Sequence, residues 1–429
     1  MKRQSKDKAN NTLVRTIVYR LYLSKAEQDL FKRYCDYRRY IWNKFKNLSD
    51  YAYQSYRYEK TYYAKFGIKT KAKDYCSKYP TLYSLEPQIN KAKKTWEFKY
   101  PSKIALMAMN DYDNALSNFK DKAQPDWGKP KFRSKKDPRQ GFKLPAESVK
   151  LSGRTIKLAK GRKDKKHGNL VLKSRQEFLA YPMGTVSFYT EKNRYYVAVP
   201  YYIPKEDLPT GKDLTGRVGI DLNVKHYNFY DGTHKEITLN MKKLVFHYNR
   251  VKHYQRLLAK KYVVNKANVN SHNYSVVKTK LQGEYDRINN MQNDFLHKLT
   301  TKLCKKYSQI IIEDLDVKHM KMGVASKGLH RAMFGKFRAI LTDKATQYGD
   351  ELIIANKLYP STQICSNCGF RKIGDERITL CGNKKHHTKH NEYICYGCGA
   401  KLDRDQNASM NLYQYPESNW LEEYQSKTA

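Results

Sequence analysis

The chain opens with alternating apolar and polar residues and then changes to a helical period. Between Leu13 and Tyr22 the side chains alternate as they do in a strand. Ser24 and Glu27 follow in the S-x-x-E order of a capping box, which predicts the start of a helix. Apolar residues then recur every three or four positions, and a helical, Lys- and Tyr-rich pattern continues to about residue 100. A second helix is predicted after Pro101, so this part of the chain predicts a helical domain entered from a strand.

The pattern changes after a basic loop at residues 128–136. Pro130 in this loop excludes a regular helix, and short apolar runs separated by turn residues follow. These runs predict strands at 149–151, 155–158, 170–172, 186–189 and 195–199. We therefore expect a small β-barrel or sandwich over residues 125–205, completed by the strand at 13–22.

From residue 217 onward the pattern is one of strands alternating with helices. Val218 to Leu222 and Ile310 to Glu313 are apolar runs that contain or end in a carboxylate, and Asp231-Gly232 is a strong hairpin signal. Residues 241–308 are basic and predict two antiparallel helices. A helix at 334–348, a strand at 352–354 and a short helix near Asp403 are predicted to complete this α/β region.

Composition adds a strong charge to this picture. The 429 residues include 83 Lys and Arg against 41 Asp and Glu, a formal net charge of +42. Phosphates relieve the self-repulsion of so basic a chain, and the 37 tyrosines supply faces on which unpaired bases can stack. No apolar run reaches the ~18 residues of a membrane span, and no signal-peptide core follows the N-terminus. We expect a cytoplasmic nucleic-acid-binding protein that associates with the nucleoid when bound to DNA.

Three carboxylates occupy positions where they could share metal ions. Asp221 and Glu313 end apolar strands, and Asp405 begins a helix after a third strand. Strand ends that meet at one edge of a sheet can hold two Mg²⁺ ions, which activate water and stabilise the leaving oxygen of a phosphodiester. Each residue alone has a structural alternative: Asp221 could simply end a strand, Glu313 pair with a lysine and Asp405 cap a helix. The neighbours Asp314, Asp316 and Asp403 compete for the same roles.

The cysteines give a sharper signal. Cys365-x-x-Cys368 and Cys395-x-x-Cys398 are two knuckles, each followed by glycine. Four thiolates in two such turns match a closed, structural tetrahedral Zn²⁺ site, the alternatives being a redox pair or free thiols. The segment between the knuckles holds further residues that could replace a ligand, namely Cys381, His386, His387 and His390.

Four motifs in this order carry a resemblance to a known family. They are Gly219-Ile220-Asp221-Leu222, Ile312-Glu313-Asp314-Leu315, the run from Tyr359 to Gly369 around the first knuckle, and Asp403-Arg404-Asp405-Gln406-Asn407-Ala408. Together they resemble the RuvC-type nuclease core with an inserted zinc ribbon found in transposon-encoded TnpB proteins and compact type V CRISPR effectors. Tyr19-Arg20-Leu21-Tyr22 and the basic loop at 128–136 are similar to the N-terminal half of these proteins.

The resemblance implies an RNA-guided, Mg²⁺-dependent DNA endonuclease that cuts beside a short flanking motif. The partners it implies are a guide RNA, transposon-end-derived or CRISPR-type, and double-stranded target DNA, with no membrane. The acidic triad of the family maps onto Asp221, Glu313 and Asp405 as catalytic and magnesium-binding residues, and its zinc ligands map onto the four paired cysteines, Cys365, Cys368, Cys395 and Cys398. Members often carry glycine two residues after the first aspartate, where this chain has Asn223, a residue that tolerates positive φ better than most.

The implied fold is multidomain, α+β and α/β: a wedge-type β-barrel with an inserted helical recognition domain, followed by an RNase H-like RuvC domain with a zinc ribbon. We predict a tail and first wedge strand at 1–23, the helical recognition domain at 24–124, the wedge barrel at 125–210, the nuclease core at 211–364, the zinc-ribbon insert at 365–398, and the end of the core with a C-terminal tail at 399–429.

Two other functions are compatible with parts of the same pattern. One is a guide-directed DNA-binding protein that does not cut, which the presence of all three carboxylates disfavours. The other is an RNA-free DNA-binding accessory of transposition that uses the zinc ribbon as its reader. Transposon-encoded and CRISPR-associated members share these motifs, so both origins stay open.

Overall fold

A computed structural model describes most of the chain. The described residues are 12–68, 75–77, 79–123, 127–159, 161–164, 170–208, 216–223, 226–238, 241–264, 271–315, 333–379, 382–383 and 385–416. They divide into two compact units, one before and one after the boundary between Asp207 and Leu208. The domain boundaries predicted within these units stay predictions.

The first unit is built on a seven-stranded sheet in which every pairing is antiparallel. The first strand, β1 (Thr12–Tyr22), lies inside this sheet between the strands β7 (Arg194–Pro204) and β5 (Leu170–Ser174). The remaining strands are β2 (Arg139–Leu144), β3 (Val149–Ser152), β4 (Thr155–Leu158) and β6 (Val186–Glu191), and the order across the sheet is β2-β6-β7-β1-β5-β4-β3. All five strands expected after the basic loop are confirmed, as is the pairing of the strand at 13–22 with them.

Three α-helices, besides a short 3₁₀ helix at Thr95–Lys99, occur among the described residues between β1 and β2. They are α1 (Lys25–Lys65), α2 (Leu82–Lys91) and α3 (Ser102–Lys120). The capping box predicted at the start of α1 is confirmed, because Ser24 accepts from the Glu27 amide and Glu27 accepts from the Ser24 amide. One stripe of α1 is buried, and Trp42 and Phe45 pack their rings against Tyr112 of α3.

The helical pattern is interrupted earlier than the sequence indicates. The expectation of helix to about residue 100 is wrong between α1 and α2, where the helix ends at Lys65 and Gly67 takes a φ of +63°. A left-handed residue stops a helix because the next amides leave the helical axis, and glycine adopts that conformation at little cost.

The second unit contains a five-stranded mixed sheet. Its strands are β8 (Arg217–Leu222), β9 (His226–Tyr230), β10 (His234–Thr238), β11 (Gln309–Glu313) and β12 (Glu351–Ala355), in the order β10-β9-β8-β11-β12. β8, β11 and β12 are parallel, whereas β9 and β10 form an antiparallel extension through the predicted hairpin. Burial of Val218, Ile220, Ile310 and Ile312 places the core on these central strands, as their apolar runs predict.

Helices surround this sheet in the second unit. The two basic helices are α4 (Met241–Val264) and α5 (His272–Cys304), and α6 (Phe334–Tyr348) and α7 (Arg404–Tyr413) follow. Phe337 and Leu341 of α6 are fully buried in the core. Between β12 and α7 lies the cysteine-rich insert, with the short strands β13 (Glu392–Ile394) and β14 (Lys401–Asp403). The expected mixed α and β architecture is confirmed, and none of the helices among the described residues is long and apolar enough to span a membrane.

Candidate active site and metal centre

The register of the parallel strands places two of the predicted carboxylates side by side. Ile220 of β8 is the partner of Ile312 of β11, so the next residues along the two strands are Asp221 and Glu313. Both lie at the carboxyl ends of their strands, the edge at which open α/β sheets bind ligands. Asp221 is buried with 5% of its surface exposed, and Glu313 is partly exposed.

The third predicted carboxylate reaches the same edge from helix α7. Asp405 lies in the first turn of α7, and Asp403 is the N-cap, its carboxylate accepting from the amides of Asp405 at 2.9 Å and Gln406 at 3.2 Å. α7 packs directly on β8 at Gly219, where a Cβ atom would overlap the backbone of Ser409 and Tyr413. This close approach explains why the motif begins with glycine, because any side chain there would push α7, and Asp405 with it, away from the strand.

The three carboxylates affect each other electrostatically. Burial and the charges of Glu313 and Asp405 raise the pKa of Asp221 well above its ordinary value. Burial, with a smaller contribution from Asp314, also raises the pKa of Glu313. Crowded carboxylates of this kind repel one another until a cation is shared between them, so the site has the charge and the oxygen donors that Mg²⁺ prefers.

Residues not predicted as site residues complete this cluster. Asn223 donates from Nδ2 to Oδ2 of Asp221 at 3.4 Å, and it does not have a positive φ. The tolerance of asparagine for positive φ is therefore not used at this position. The side-chain amide of Asn223 instead contacts the Asp221 carboxylate. His226 lies with Nε2 3.5 Å from Asp405 and Nδ1 3.4 Å from Glu236, and Arg404 contacts Oδ1 of Asp405 at 3.3 Å.

The competing carboxylates have other partners. Asp314 forms an ion pair with Arg338 of α6, and the carboxylate of Asp403 is occupied as the N-cap of α7. Asp316 lies outside the described residues. Among the described candidates, the geometry thus brings Asp221, Glu313 and Asp405 to one edge of the sheet.

The four paired cysteines converge at a second site. Their sulfur atoms all lie within 4.8 Å of one another, with Cys365 3.8 Å from Cys398 and Cys368 3.5 Å from Cys395. Cys365 and Cys395 are buried, whereas Cys368 and Cys398 are exposed. Of the alternative ligands, His386, His387 and His390 lie outside this cluster, and Cys381 falls outside the described residues.

Local hydrogen bonds favour the thiolate at one cysteine of the cluster, Cys398. The Ala400 amide, with a further hydrogen bond from Asn367, lowers the pKa of Cys398 to about 6. Burial raises the pKa of Cys365. The Phe370 amide lowers the pKa of Cys368, but contacts with the other cysteines together with burial outweigh it and raise that pKa to about 12. Lys372 is 1% exposed, donates to the Ile394 carbonyl at 2.5 Å and lies over the Tyr396 ring, so a buried positive charge accompanies the sulfur cluster. Four converging thiols with such neighbours fit a structural zinc ion.

Two side-chain amides of α7 join the first knuckle to the helix of Asp405. Asn407 accepts from the Ser366 amide at 2.9 Å and donates to the Ile364 carbonyl at 2.7 Å. Asn411 donates to the carbonyls of Ser361 at 2.6 Å and Ile364 at 2.7 Å. Only the position of Asn407 in the last motif singles it out in the sequence, because its partners lie more than 40 residues away.

Two families of known proteins match parts of the chain. The family described as "Cas12f1-like, TNB domain" matches residues 334–412, and the family described as "Probable transposase" (OrfB_IS605) matches residues 198–323. The predicted resemblance to TnpB proteins and compact type V CRISPR effectors is confirmed. These two matches include all of the predicted site residues, the cysteines and Asp405 in the first and Asp221 and Glu313 in the second.

Individual relatives are similar to parts of the chain. A "Putative RNA-guided DNA endonuclease" of Streptomyces pristinaespiralis is 32% identical over 33% of this chain and 33% of its own length. "TnpB-like protein L79" of Acanthamoeba polyphaga mimivirus is 24% identical over 56% of this chain and 44% of its own length. The matched stretches therefore span between a third and a half of these relatives.

A solved structure shares the fold over a longer stretch. The structure titled "Cryo-EM structure of the Cas12f1-sgRNA-target DNA complex" matches 94% of this chain and 99% of that chain, with a TM-score of 0.52 and 15% identity. At this identity the match concerns the fold alone.

Proposed function

We propose that the protein is an RNA-guided, Mg²⁺-dependent DNA endonuclease that cuts beside a short flanking motif with one RuvC-like site. The observation that carries this proposal is the meeting of Asp221, Glu313 and Asp405 at one sheet edge, two from neighbouring parallel strands and one from α7. The names of the relatives, RNA-guided DNA endonucleases and TnpB-like proteins, support the same function.

The chain's own residues define what this site can do. Asp221 and Glu313 would hold divalent cations from the strand side, and Asp405 would complete the ligand set from α7. Two Mg²⁺ ions, when bound, supply an activated water and stabilise the leaving oxygen of the phosphodiester. Asn223 orients the Asp221 carboxylate, and His226 lies against Asp405, where it can orient that carboxylate or carry a proton near the scissile phosphate.

We also propose a structural role for zinc at the four cysteines. Two of the sulfurs are buried and all four are within ligand-sharing distance, so the site has no position left for substrate. In this proposal the cysteine-rich insert is a zinc ribbon.

Charge and aromatic surface support guide RNA and target DNA as partners. In the second unit, a shallow, open surface depression of about 660 Å³, here called the lysine hollow, is lined by five lysines, Lys298, Lys302, Lys305, Lys306 and Lys344, with His297, Thr301 and Asp294. In the first unit, Tyr51 and Tyr58 of α1 are 70% and 76% exposed. Lysines bind backbone phosphates and exposed rings stack on bases, so both surfaces suit nucleic acid.

The experiment is a cleavage assay on the chain purified with its RNA. We expect Asp221→Ala and Asp405→Ala to abolish Mg²⁺-dependent cutting of a matched plasmid while leaving RNA and target binding intact. Asp403→Asn is the matched control: asparagine caps a helix as well as aspartate, so this variant removes a neighbouring carboxylate and keeps α7 in place.

Three outcomes would contradict parts of the proposal. Undiminished cutting by both alanine variants would reject the assigned site. Tight target binding by the wild-type complex with no Mg²⁺-dependent product would indicate a guide-directed binder that does not cut. A preparation that protects no RNA from nuclease would favour an RNA-free DNA-binding accessory of transposition.

A further inference from the structure

Helix α7 is anchored on two opposite sides. On one side it rests on β8, where Gly219 allows the backbone of the helix to approach the strand closely. On the other side Asn407 and Asn411 make four hydrogen bonds to the backbone of residues 361–366. Asp405 lies at the start of the same helix, two residues before Asn407.

The second anchor depends on the conformation of a cysteine knuckle. Asn407 contacts the carbonyl of the residue before Cys365 and the amide of the residue after it. Its two hydrogen bonds therefore depend on the backbone conformation on both sides of this zinc-ligand candidate. Asn407 is 0% exposed and Asn411 2%, and water cannot replace their partners. Buried amides without partners are costly, so these bonds form only while the knuckle keeps its shape.

We infer that Asn407 and Asn411 are positioning residues that couple the metal-bound knuckle to the carboxylate of Asp405. Zinc fixes the backbone around Cys365, the two asparagines fix α7 to that backbone, and α7 sets where Asp405 meets Asp221 and Glu313. The inference rests on the proposed function, and it makes the zinc ribbon a support for the nuclease site.

The test compares two substitutions on the same helix in the full chain. Asn407→Leu keeps the number and branching of the heavy side-chain atoms and removes both hydrogen bonds to the knuckle. Ser409→Ala is the matched control, because Ser409 is equally buried but donates only to Gln406 within the helix. Both variants keep the four cysteines, and zinc content is measured for each.

We expect Asn407→Leu to retain zinc and RNA binding while its Mg²⁺ requirement changes. The Mg²⁺ concentration that half-saturates cutting should rise about 10- to 100-fold, the usual cost of removing a residue that orients a metal ligand. Backbone amides of residues 404–413 should exchange with deuterium at least about tenfold faster than in Ser409→Ala. Wild-type protein stripped of zinc should show the same faster exchange at these amides.

The exchange measurements decide the inference even if the wild-type complex does not cut. Equal α7 protection in zinc-loaded and zinc-stripped wild type would overturn it, as would an Asn407→Leu variant that matches Ser409→Ala in both exchange and Mg²⁺ requirement. If Asn407→Leu does not fold, the stripped wild type and Asn411→Ser, which removes the other two bonds, provide the same comparison. If the wild-type complex does not cut DNA but the exchange of the α7 amides still depends on zinc, the proposed function is rejected. The coupling between the knuckle and α7 is then retained.

Discussion

Asp231 shows how single charged residues stabilise the second unit away from the candidate site. It lies in the turn between β9 and β10 and accepts hydrogen bonds from Lys306 at 2.7 Å, Tyr307 at 2.6 Å and Lys235 at 3.0 Å. Burial opposes ionisation of Asp231, but these three donors outweigh it and hold the pKa well below its ordinary value. Ionised Asp231 thus ties the hairpin to the segment that leads into β11.

We predict that Asp231→Asn destabilises the protein in a pH-dependent way. A carboxyl whose folded pKa is depressed contributes stability above its unfolded pKa of about 3.9 and loses it as the pH falls toward the folded value. Urea unfolding should therefore show a destabilisation of about 1.5–3 kcal/mol at pH 7, the usual range for hydrogen bonds to charged groups, and a smaller one at pH 3. Asp294→Asn, which breaks an exposed i,i+4 pair with Lys298, should change stability by less than about 0.5 kcal/mol. A destabilisation by Asp231→Asn that does not vary with pH would contradict this account.

Local patterns are enough to predict some of the site residues but not their neighbours. Asp221 and Glu313 could be placed because each follows an apolar run long enough to be a buried strand. Asn223 and Asn407 carry no such signal, since their roles depend on atoms that only the fold brings near. His226 was missed for the same reason: its contact with Asp405 joins the hairpin to a helix some 180 residues later.

At the scale of elements, the approach of α7 to β8 is a backbone-to-backbone packing contact at the candidate site. Gly219 belongs to a buried strand, and the helix backbone occupies the space where its side chain would be. A methyl group at this position has no room unless the helix moves, because both elements are backbone at the point of contact.

We predict that Gly219→Ala lowers both stability and cutting. It should cost about 1–3 kcal/mol or more, as overpacking does, and reduce cutting because Asp405 moves with α7. Gly283→Ala is the matched control, since Gly283 lies inside helix α5 with open space around it and should gain about 0.5–1 kcal/mol. Thermal unfolding and plasmid cleavage measure both effects. Normal cutting by a stable Gly219→Ala variant would show that α7 has more freedom than its packing indicates.

The elements themselves were predicted where their periodicity was strong. The strands from β3 to β9, the helices from α3 to α7 and the cap of α1 follow from apolar spacing and turn residues. β2 was missed because its six residues, Arg139 to Leu144, are mostly polar or glycine and only Phe142 and Leu144 are buried. Its assignment depends on pairing with β6 across more than 40 residues, which no local pattern contains.

At the scale of the whole molecule, the charge of +42 is the feature that most constrains a partner. Three lysines of the lysine hollow are engaged within the protein, Lys298 with Asp294, Lys306 with Asp231 and Lys344 with Thr301. Lys302 and Lys305 are exposed, and no ion pair to them occurs among the described residues. These two lysines are the members of the hollow best placed to meet backbone phosphates.

We predict that the Lys302→Gln, Lys305→Gln double variant weakens guide-RNA or DNA binding and lowers its salt dependence. The slope of log affinity against log salt should fall by about one for each phosphate that a lysine no longer neutralises. Lys278→Gln with Lys280→Gln removes the same charge from exposed positions of α5 outside the hollow and serves as the control. Separate titrations with RNA and with DNA show which partner uses the hollow. Equal effects of the two double variants would mean that overall charge matters and the hollow does not.

The central position of β1 has a consequence for how the first unit is made. β1 is synthesised before the other strands of its sheet, yet it pairs with β7 along nearly its whole length, and the Tyr19 hydroxyl meets that of Tyr201, 182 residues later. At about 5–20 residues per second, the ribosome needs roughly 10–40 s to deliver that partner. During this time α1 to α3 can fold from local contacts, while β1, a half-apolar strand, lacks the neighbour that pairs with most of its length. Until β7 is synthesised, the edge of β1 that pairs with it stays exposed in the nascent chain. The pairing of β7 with β1 then completes the sheet of the first unit.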